Sequence, residues 1–190
     1  LLGGGVAEVV VASLAGLMAS LIGLLARRRP SLGDVQAALI CAVVAFSIRC
    51  TAAWFPVHVP LTTLAAIIVL LPGLSFTTAL AELAMRHLAA GSARLMGAMA
   101  VFVTMAIGVG IGDKSAMQLV GEVPVGELVP LGPIWLGASL LANWIAFTLL
   151  LRGTLRQSPW VLLAILAGYG GARLGSALLG NELGAVVGAM

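Results

Sequence analysis

Long apolar runs alternate with short polar segments along the chain. A helix needs about 20 apolar residues to cross the hydrocarbon core of a bilayer. The runs lack the alternation typical of strands and are rich in Ala, Leu and Gly, which favours helices. We therefore predict an all-α integral membrane protein, a bundle of six to seven transmembrane helices. The predicted spans are Val9–Ala26, Val35–Ile48 with an extension to Trp54 if Arg49 is tolerated, a third from Leu61, Leu95–Gly112, Leu131–Leu151, Trp160–Leu179, and a seventh from Leu183.

The composition also indicates a membrane protein and argues against a nucleic-acid partner. Hydrophobic residues make up 61% of the 190 residues and charged residues 9%, with a mean hydropathy of +1.15. Soluble domains carry about 25% charged residues, and one core of this size cannot bury so much apolar surface. The surplus is expected to face the lipid bilayer. The ten basic residues form no stripe with interleaved aromatics, so a nucleic-acid partner is not expected.

The basic residues also predict an orientation in the membrane. Seven of the ten Lys and Arg residues follow spans one, three and five, which places those segments on the cytoplasmic side. Segment 113–129, with three acidic residues and one lysine, falls on the opposite side as an extracytoplasmic loop. These features predict a multi-pass membrane protein with its basic segments in the cytoplasm. The seven basic residues are Arg27, Arg28, Arg29, Arg86, Arg94, Arg152 and Arg156.

A weak internal similarity divides the chain. Arg27 and Arg49 are 22 residues apart and Arg152 and Arg173 are 21 apart, each pair running from a basic turn to an arginine late in the next span. The even number of spans between the copies would make them a parallel repeat, as in some transporters. Chance similarity between apolar helices is the alternative. The resulting division is a first transmembrane repeat at 1–112, the loop at 113–129, and the start of a second repeat at 130–190.

The third predicted span contains Pro72-Gly73 about eleven residues from its start, near the bilayer midplane. Proline removes a backbone donor and glycine permits a bend, so the helix is expected to break there. The N-terminal N–H groups of the second half would then point at an anionic ligand group, beside the hydroxyls of Ser75, Thr77 and Thr78. A simple proline kink is the alternative.

Three charged residues inside or next to predicted spans could serve a site. Arg49 and Arg173 lie within spans, where a charge costs about 2.5–3.5 kcal/mol, so they either line an anion-holding cavity or extend to the outer interface. Glu82 lies four residues before Arg86 on one helical face. Its position is typical of a surface salt bridge with Arg86. If Glu82 instead faces a cavity, its carboxylate could bind an ammonium group or exchange a proton.

No motif predicts an enzyme or a metal site. The chain has no HExxH sequence and no phosphate-binding glycine loop, and its two histidines, His58 and His87, are too few to assemble an obvious metal centre. His58, in an outer turn, is expected to be solvated. No cofactor and no catalytic residue is predicted.

The segment from Pro72 to Arg94 resembles the threonine/serine exporter family. The family pattern is approximately PG-x-x-x-T-N-A-x-x-D-L-L-x-G-D-x-x-x-G-x-A-R. The chain has Glu82 where the family usually has Asp, Thr78 for Asn, and Arg86-His87 for Gly-Asp. The matching residues are Pro72, Gly73, Thr77, Ala79, Leu83, Gly91, Ala93 and Arg94.

The resemblance implies export of small hydroxy amino acids, threonine or serine, by proton-coupled antiport across the cell (inner) membrane. Backbone N–H groups of Leu74–Thr78 and nearby hydroxyls would take the carboxylate, Glu82 the ammonium or the coupling proton, and Arg94 or Arg49 would balance it. A dicarboxylate (succinate) exporter, with Arg49 and Arg173 as substrate partners, and a channel or scaffold without active transport remain alternatives, and homo-oligomerisation is left open. The candidate substrate-binding residues are Pro72, Gly73, Ser75, Thr77, Thr78, Glu82, Arg94, Arg49 and Arg173.

Overall fold

A computed structural model describes residues 5–26, 35–123, 133–150 and 156–179, and every regular element in these ranges is helical. The predicted basic turn at 27–29, Arg152 and the start of the seventh span at Leu183 lie outside the described residues. The helices are α1 (Val6–Ala26), α2 (Gln36–Ala52), α3 (Val59–Ile67), a short 3-10 helix (Ile68–Leu70), α4 (Gly73–Ala84), α5 (Leu88–Val120), α6 (Pro133–Leu150) and α7 (Ser158–Leu179).

Two helices of the described part, α1 and α5, are long and apolar enough to cross a membrane. The pair Val59–Leu70 and Gly73–Ala84 qualifies as a third span if the two bent halves are counted together. Helix α2 and residues 137–150 of α6 are apolar but shorter. The described part therefore supports two to three spans by length and composition, and the number of six to seven stays a prediction.

The chain divides into two compact units, one containing α1–α5 and the other α6 and α7. Helix α2 is central in the first unit because it packs against α1, α3 and α5. Its buried side chains form the largest share of the core, together with small residues of α1 that allow close approach. In the second unit, the indole Nε1 of Trp144 on α6 donates to the carbonyl of Ser158, at the start of α7, over 2.8 Å. The fully buried residues of α2 include Ile40, Cys41, Val44 and Ile48.

Helix α5 is longer than the predicted fourth span at both ends. It has 33 residues, about 50 Å, against a hydrocarbon core of about 30 Å. Residues 113–120 are helical, so the prediction that a loop begins at Asp113 is wrong for this part. The segment contains good helix formers and no proline, and the helix ends only at Gly121, whose φ is +80°.

Glycines on α5 bring its backbone into contact with α2. A Cβ added at Gly108 would lie 2.3 Å from the carbonyl oxygen of Ala38, and one at Gly112 would lie 2.1 Å from that of Ala42. From the first contact to the second, the residue number rises by four on both helices, so α2 and α5 run parallel. Small residues four apart on both helices therefore permit a backbone-to-backbone interface.

His58 has a structural partner, contrary to the expectation that it is only solvated. It is the N-cap of α3, and its Nδ1 accepts a hydrogen bond from the N–H of Leu61 over 3.4 Å. The sequence did not indicate this role because histidine is not among the residues most favoured at N-caps.

Candidate functional site

The chain changes direction by 67° between α3 with its 3-10 extension and α4. Leu71 is extended, with φ −61° and ψ 130°, as expected for a residue that precedes proline. The N–H of Gly73 donates back to the carbonyl of Leu71 over 2.8 Å. Pro72 has no N–H group, so it cannot donate a hydrogen bond to continue the preceding helix.

The break leaves fewer free backbone donors than predicted for Leu74–Thr78. The N–H of Phe76 already donates to the carbonyl of Pro72 over 2.9 Å, and from there the hydrogen bonds of α4 continue. Only Leu74 and Ser75 lie within the first turn without an intrahelical partner for their N–H groups. The positive end of α4 therefore offers two N–H groups.

The polar side chains of α4 lie on two sides of the helix. At 3.6 residues per turn, Ser75, Thr78 and Glu82 lie within about 60° of one another, whereas Thr77 lies on roughly the opposite side. We call Ser75, Thr78 and Glu82 the polar stripe. Ser75 and Thr78 are exposed and Glu82 is partly buried.

Both threonine hydroxyls are already used as donors within α4. Thr77 Oγ1 donates to the carbonyls of Gly73 and Leu74 over 3.0 and 3.1 Å, and Thr78 Oγ1 donates to that of Leu74. Their oxygen lone pairs remain available as acceptors. This arrangement also supplies side-chain partners to carbonyls in the first turn after the break.

Glu82 forms an ion pair with Arg94, across the turn between α4 and α5. Arg94 Nη2 lies 3.2 Å from Glu82 Oε1, and Arg94 Nε lies 3.3 Å from Glu82 Oε2. The side chain of Glu82 is 20% exposed and that of Arg94 is 49% exposed. The expected Glu82–Arg86 pair is not formed, because α4 ends at Ala84 and Arg86 lies in the following turn.

The end of α4 has the hydrogen bonds of a Schellman motif. The N–H of His87 donates to the carbonyl of Glu82 over 2.9 Å, and that of Arg86 to Leu83 over 3.0 Å. Arg86 occupies the left-handed position with φ +63°, where glycine is usual. The family pattern has glycine at this position and this chain has Arg86, so the replacement puts a side chain where the backbone conformation strains it.

Arg49 and Asp113 form a second ion pair, between α2 and α5. Arg49 Nη1 lies 2.6 Å from Asp113 Oδ1, and the two side chains are 15% and 32% exposed. The Nε of Arg49 is buried and has no hydrogen-bond partner among the described residues. Asp113 was missed as a candidate because it was assigned to a loop, although an arginine within a span requires a carboxylate or a wet cavity.

Arg173 belongs to the second unit, on α7. Its Cζ lies 6.0 Å from the ring centroid of Tyr169, one helical turn earlier, at the distance of a cation–π contact. A role of Arg173 in binding substrate stays a prediction.

Long apolar helices, one bent pair and charged side chains paired between helices define a helical membrane protein. The model of the family described as "Putative threonine/serine exporter" matches residues 1–115. The match covers more than half of the chain, so the chain belongs to the threonine/serine exporter family, which confirms the resemblance carried by Pro72–Arg94. Neither a curated protein nor a solved structure gave a significant match.

Proposed function

We propose that the protein is a secondary active transporter that exports threonine or serine by alternating access, coupled to protons as an antiporter of the inner membrane. Family membership supports the class of substrate. The observation that carries the proposal is the coincidence of the helix break at Leu71-Pro72 with the polar stripe that begins directly after it. Polar groups beside a broken helix are a recurring substrate site in transporters.

The first turn of α4 is the proposed site for the substrate carboxylate. The N–H groups of Leu74 and Ser75 and the positive end of the helix dipole attract an anion. Thr78, one turn further on, has oxygen lone pairs that can accept from a substrate hydroxyl or ammonium group. Pro72 and Gly73 would position these groups, while Thr77 would contribute only if the pathway reached the opposite side of α4.

Glu82 is better placed to carry the coupling proton than to bind the ammonium group. Glu82 lies seven positions after Ser75, about 10 Å further along the helix axis. Threonine and serine carry their ammonium and carboxylate on one carbon atom, so a carboxylate at Ser75 leaves the ammonium group far from Glu82. Glu82 also already has Arg94 as its charge partner.

The proposed membrane topology agrees with the relative direction of α2 and α5. Helices α2 and α5 run parallel, as expected if α2 leaves the cytoplasmic side, α3 and α4 return, and α5 leaves again. Arg49 and Asp113 would then lie towards the outer side. The six to seven spans and the parallel repeat belong to this proposal.

An export assay with loaded proteoliposomes tests the proposal. We expect labelled threonine to leave vesicles containing the full-length protein at a rate that depends on an imposed proton gradient. Glu82→Gln should lower proton-driven export by about a hundredfold, the lower end of the loss expected when a proton-transfer group is removed. Unchanged export by Glu82→Gln would remove Glu82 from the mechanism.

Thr78→Val and Thr77→Val form a matched pair for the binding site. They are neighbours with the same side chain, and both donate to the carbonyl of Leu74. The polar stripe predicts that Thr78→Val raises the half-saturating concentration of threonine more than Thr77→Val does. The reverse order would place the pathway on the other side of α4.

The same vesicles distinguish the alternatives. Preferential export of succinate, lost on Arg173→Gln, would indicate a dicarboxylate exporter. Arg49 is less suited to that role because Asp113 already pairs with it. Flux that does not saturate and ignores the proton gradient would indicate a channel, and an absence of flux for all these solutes would support a scaffold.

A further inference from the structure

Helix α4 has a single extensive neighbour within the first unit, which is α5. Of its residues only Ala79 is buried. Phe76 contacts Phe102 edge to face, with ring centroids 6.2 Å apart, and the Glu82–Arg94 pair joins the other end of α4 to α5. Because α5 is the only helix of the first unit with extensive contacts to α4, the position of α4 depends on its contacts with α5.

Gly91 lies at a close approach between these helices. A Cβ at Gly91 would lie 2.8 Å from Cγ of Leu83 and 3.0 Å from its backbone nitrogen. The Leu83 side chain could rotate, but its backbone could move only with α4. Any side chain at position 91 therefore tends to push the end of α4 away from α5.

The Glu82–Arg94 pair is next to this contact and has little tolerance for such a shift. Glu82 precedes Leu83, and Arg94 is three residues after Gly91, on the same side of α5. The two N–O distances, 3.2 and 3.3 Å, already lie at the long end of the range for hydrogen bonds. A small separation of the helices would remove both contacts.

We propose that Gly91 is a positioning residue that lets Glu82 and Arg94 form their two-point contact, and that it acts on transport through this pair. The role in transport rests on the proposed function, whereas the coupling between Gly91 and the pair does not. Glu82 is half of the pair and the proposed proton carrier, so its distance from Arg94 bears directly on the transport step.

A double-mutant cycle on the full-length protein tests the coupling without any transport. The variants are Gly91→Ala, Arg94→Gln and both together, and the measurement is the unfolding equilibrium in detergent. Each single substitution should lower the denaturant concentration at which half of the protein is unfolded. Once Gly91→Ala is present, Arg94→Gln should lower that midpoint at most slightly further. Additive effects would overturn the proposal, because Gly91 would then matter only for local packing.

Gly97→Ala is the matched control, since a Cβ at Gly97 on the same helix would meet nothing within 4 Å. It should leave the midpoint near that of the parent protein. Equal effects of Gly91→Ala and Gly97→Ala would contradict the proposal. If Gly91→Ala fails to accumulate, Arg94→Lys keeps Gly91 and the charge but loses the planar two-point contact, and it should weaken the pair in the same way.

Export measurements on these variants test whether Gly91 acts on transport through the Glu82–Arg94 pair. Gly91→Ala should lower the maximal rate about fivefold, to the level of Arg94→Lys, with little change in the half-saturating concentration. A change in half-saturation alone would contradict action through the pair. Coupling in the unfolding cycle together with an absence of amino-acid export would leave this inference intact and overturn the proposed function instead.

Discussion

Arg49 Nη1 and Asp113 Oδ1 are 2.6 Å apart, so one ion pair joins the end of α2 to the last third of α5. Removing one partner leaves the other charge in a mostly buried position. We expect Asp113→Asn to lower the free energy of unfolding in detergent by about 1–3 kcal/mol, since Arg49 loses its counter-charge. An SDS titration of the purified protein measures this.

Lys114→Gln is the control for this prediction, because Lys114 is the adjacent exposed charge and should be nearly neutral to stability. Replacing both partners, with Arg49→Gln and Asp113→Asn, should be less destabilising than Asp113→Asn alone. A double variant that loses the sum of both single effects would show that the pair contributes nothing as a pair.

The backbone contact between α5 and α2 predicts that Gly108→Ala and Gly112→Ala are destabilising. An added Cβ would collide with the carbonyl oxygens of Ala38 and Ala42, and neither backbone can move without separating the helices. We expect a loss of about 1–3 kcal/mol for each, measured by the same titration.

Gly110→Ala provides the comparison, since a Cβ at Gly110 would meet nothing within 4 Å. Alanine favours a helix by about 1 kcal/mol over glycine, so this variant should be neutral or slightly more stable. Similar losses at all three positions would indicate a general intolerance of α5 rather than a close contact with α2.

Arg86→Gly should stabilise the protein. The left-handed φ of +63° costs an L-residue about 1–2 kcal/mol, and glycine adopts it freely. We expect a gain of about 1 kcal/mol in the unfolding free energy. Arg86→Ala removes the same charge but keeps the strain, so a gain of equal size in Arg86→Ala would attribute the effect to charge.

The cap formed by His58 predicts a small, specific loss. His58→Ala removes the acceptor for the Leu61 N–H and should lower stability by about 0.5–1 kcal/mol. His58→Asn restores a favoured capping acceptor and should recover most of the loss. Thermal unfolding of both variants in detergent measures the difference, and equal melting temperatures would show that the cap contributes nothing.

Local chemistry was sufficient for the parts of the fold that depend on neighbouring residues. Apolar runs too long for a soluble core indicate membrane helices, and Pro72 ends a helix because it lacks an N–H wherever it is placed. The motif from Pro72 to Arg94 was likewise sufficient to indicate the family. These conclusions need no knowledge of which helices touch.

Pairing between helices was decided only by the tertiary structure. Glu82 had a nearby arginine at Arg86 in the sequence, yet its partner is Arg94, because the chain leaves the helical path at the left-handed turn. The sequence placed Asp113 in a loop, but α5 continues past this residue, and Asp113 pairs with Arg49. Hydrophobicity determines that a helix enters the membrane, whereas its neighbours and its charge partners depend on close contacts, such as Gly108 against Ala38, between residues far apart in the chain.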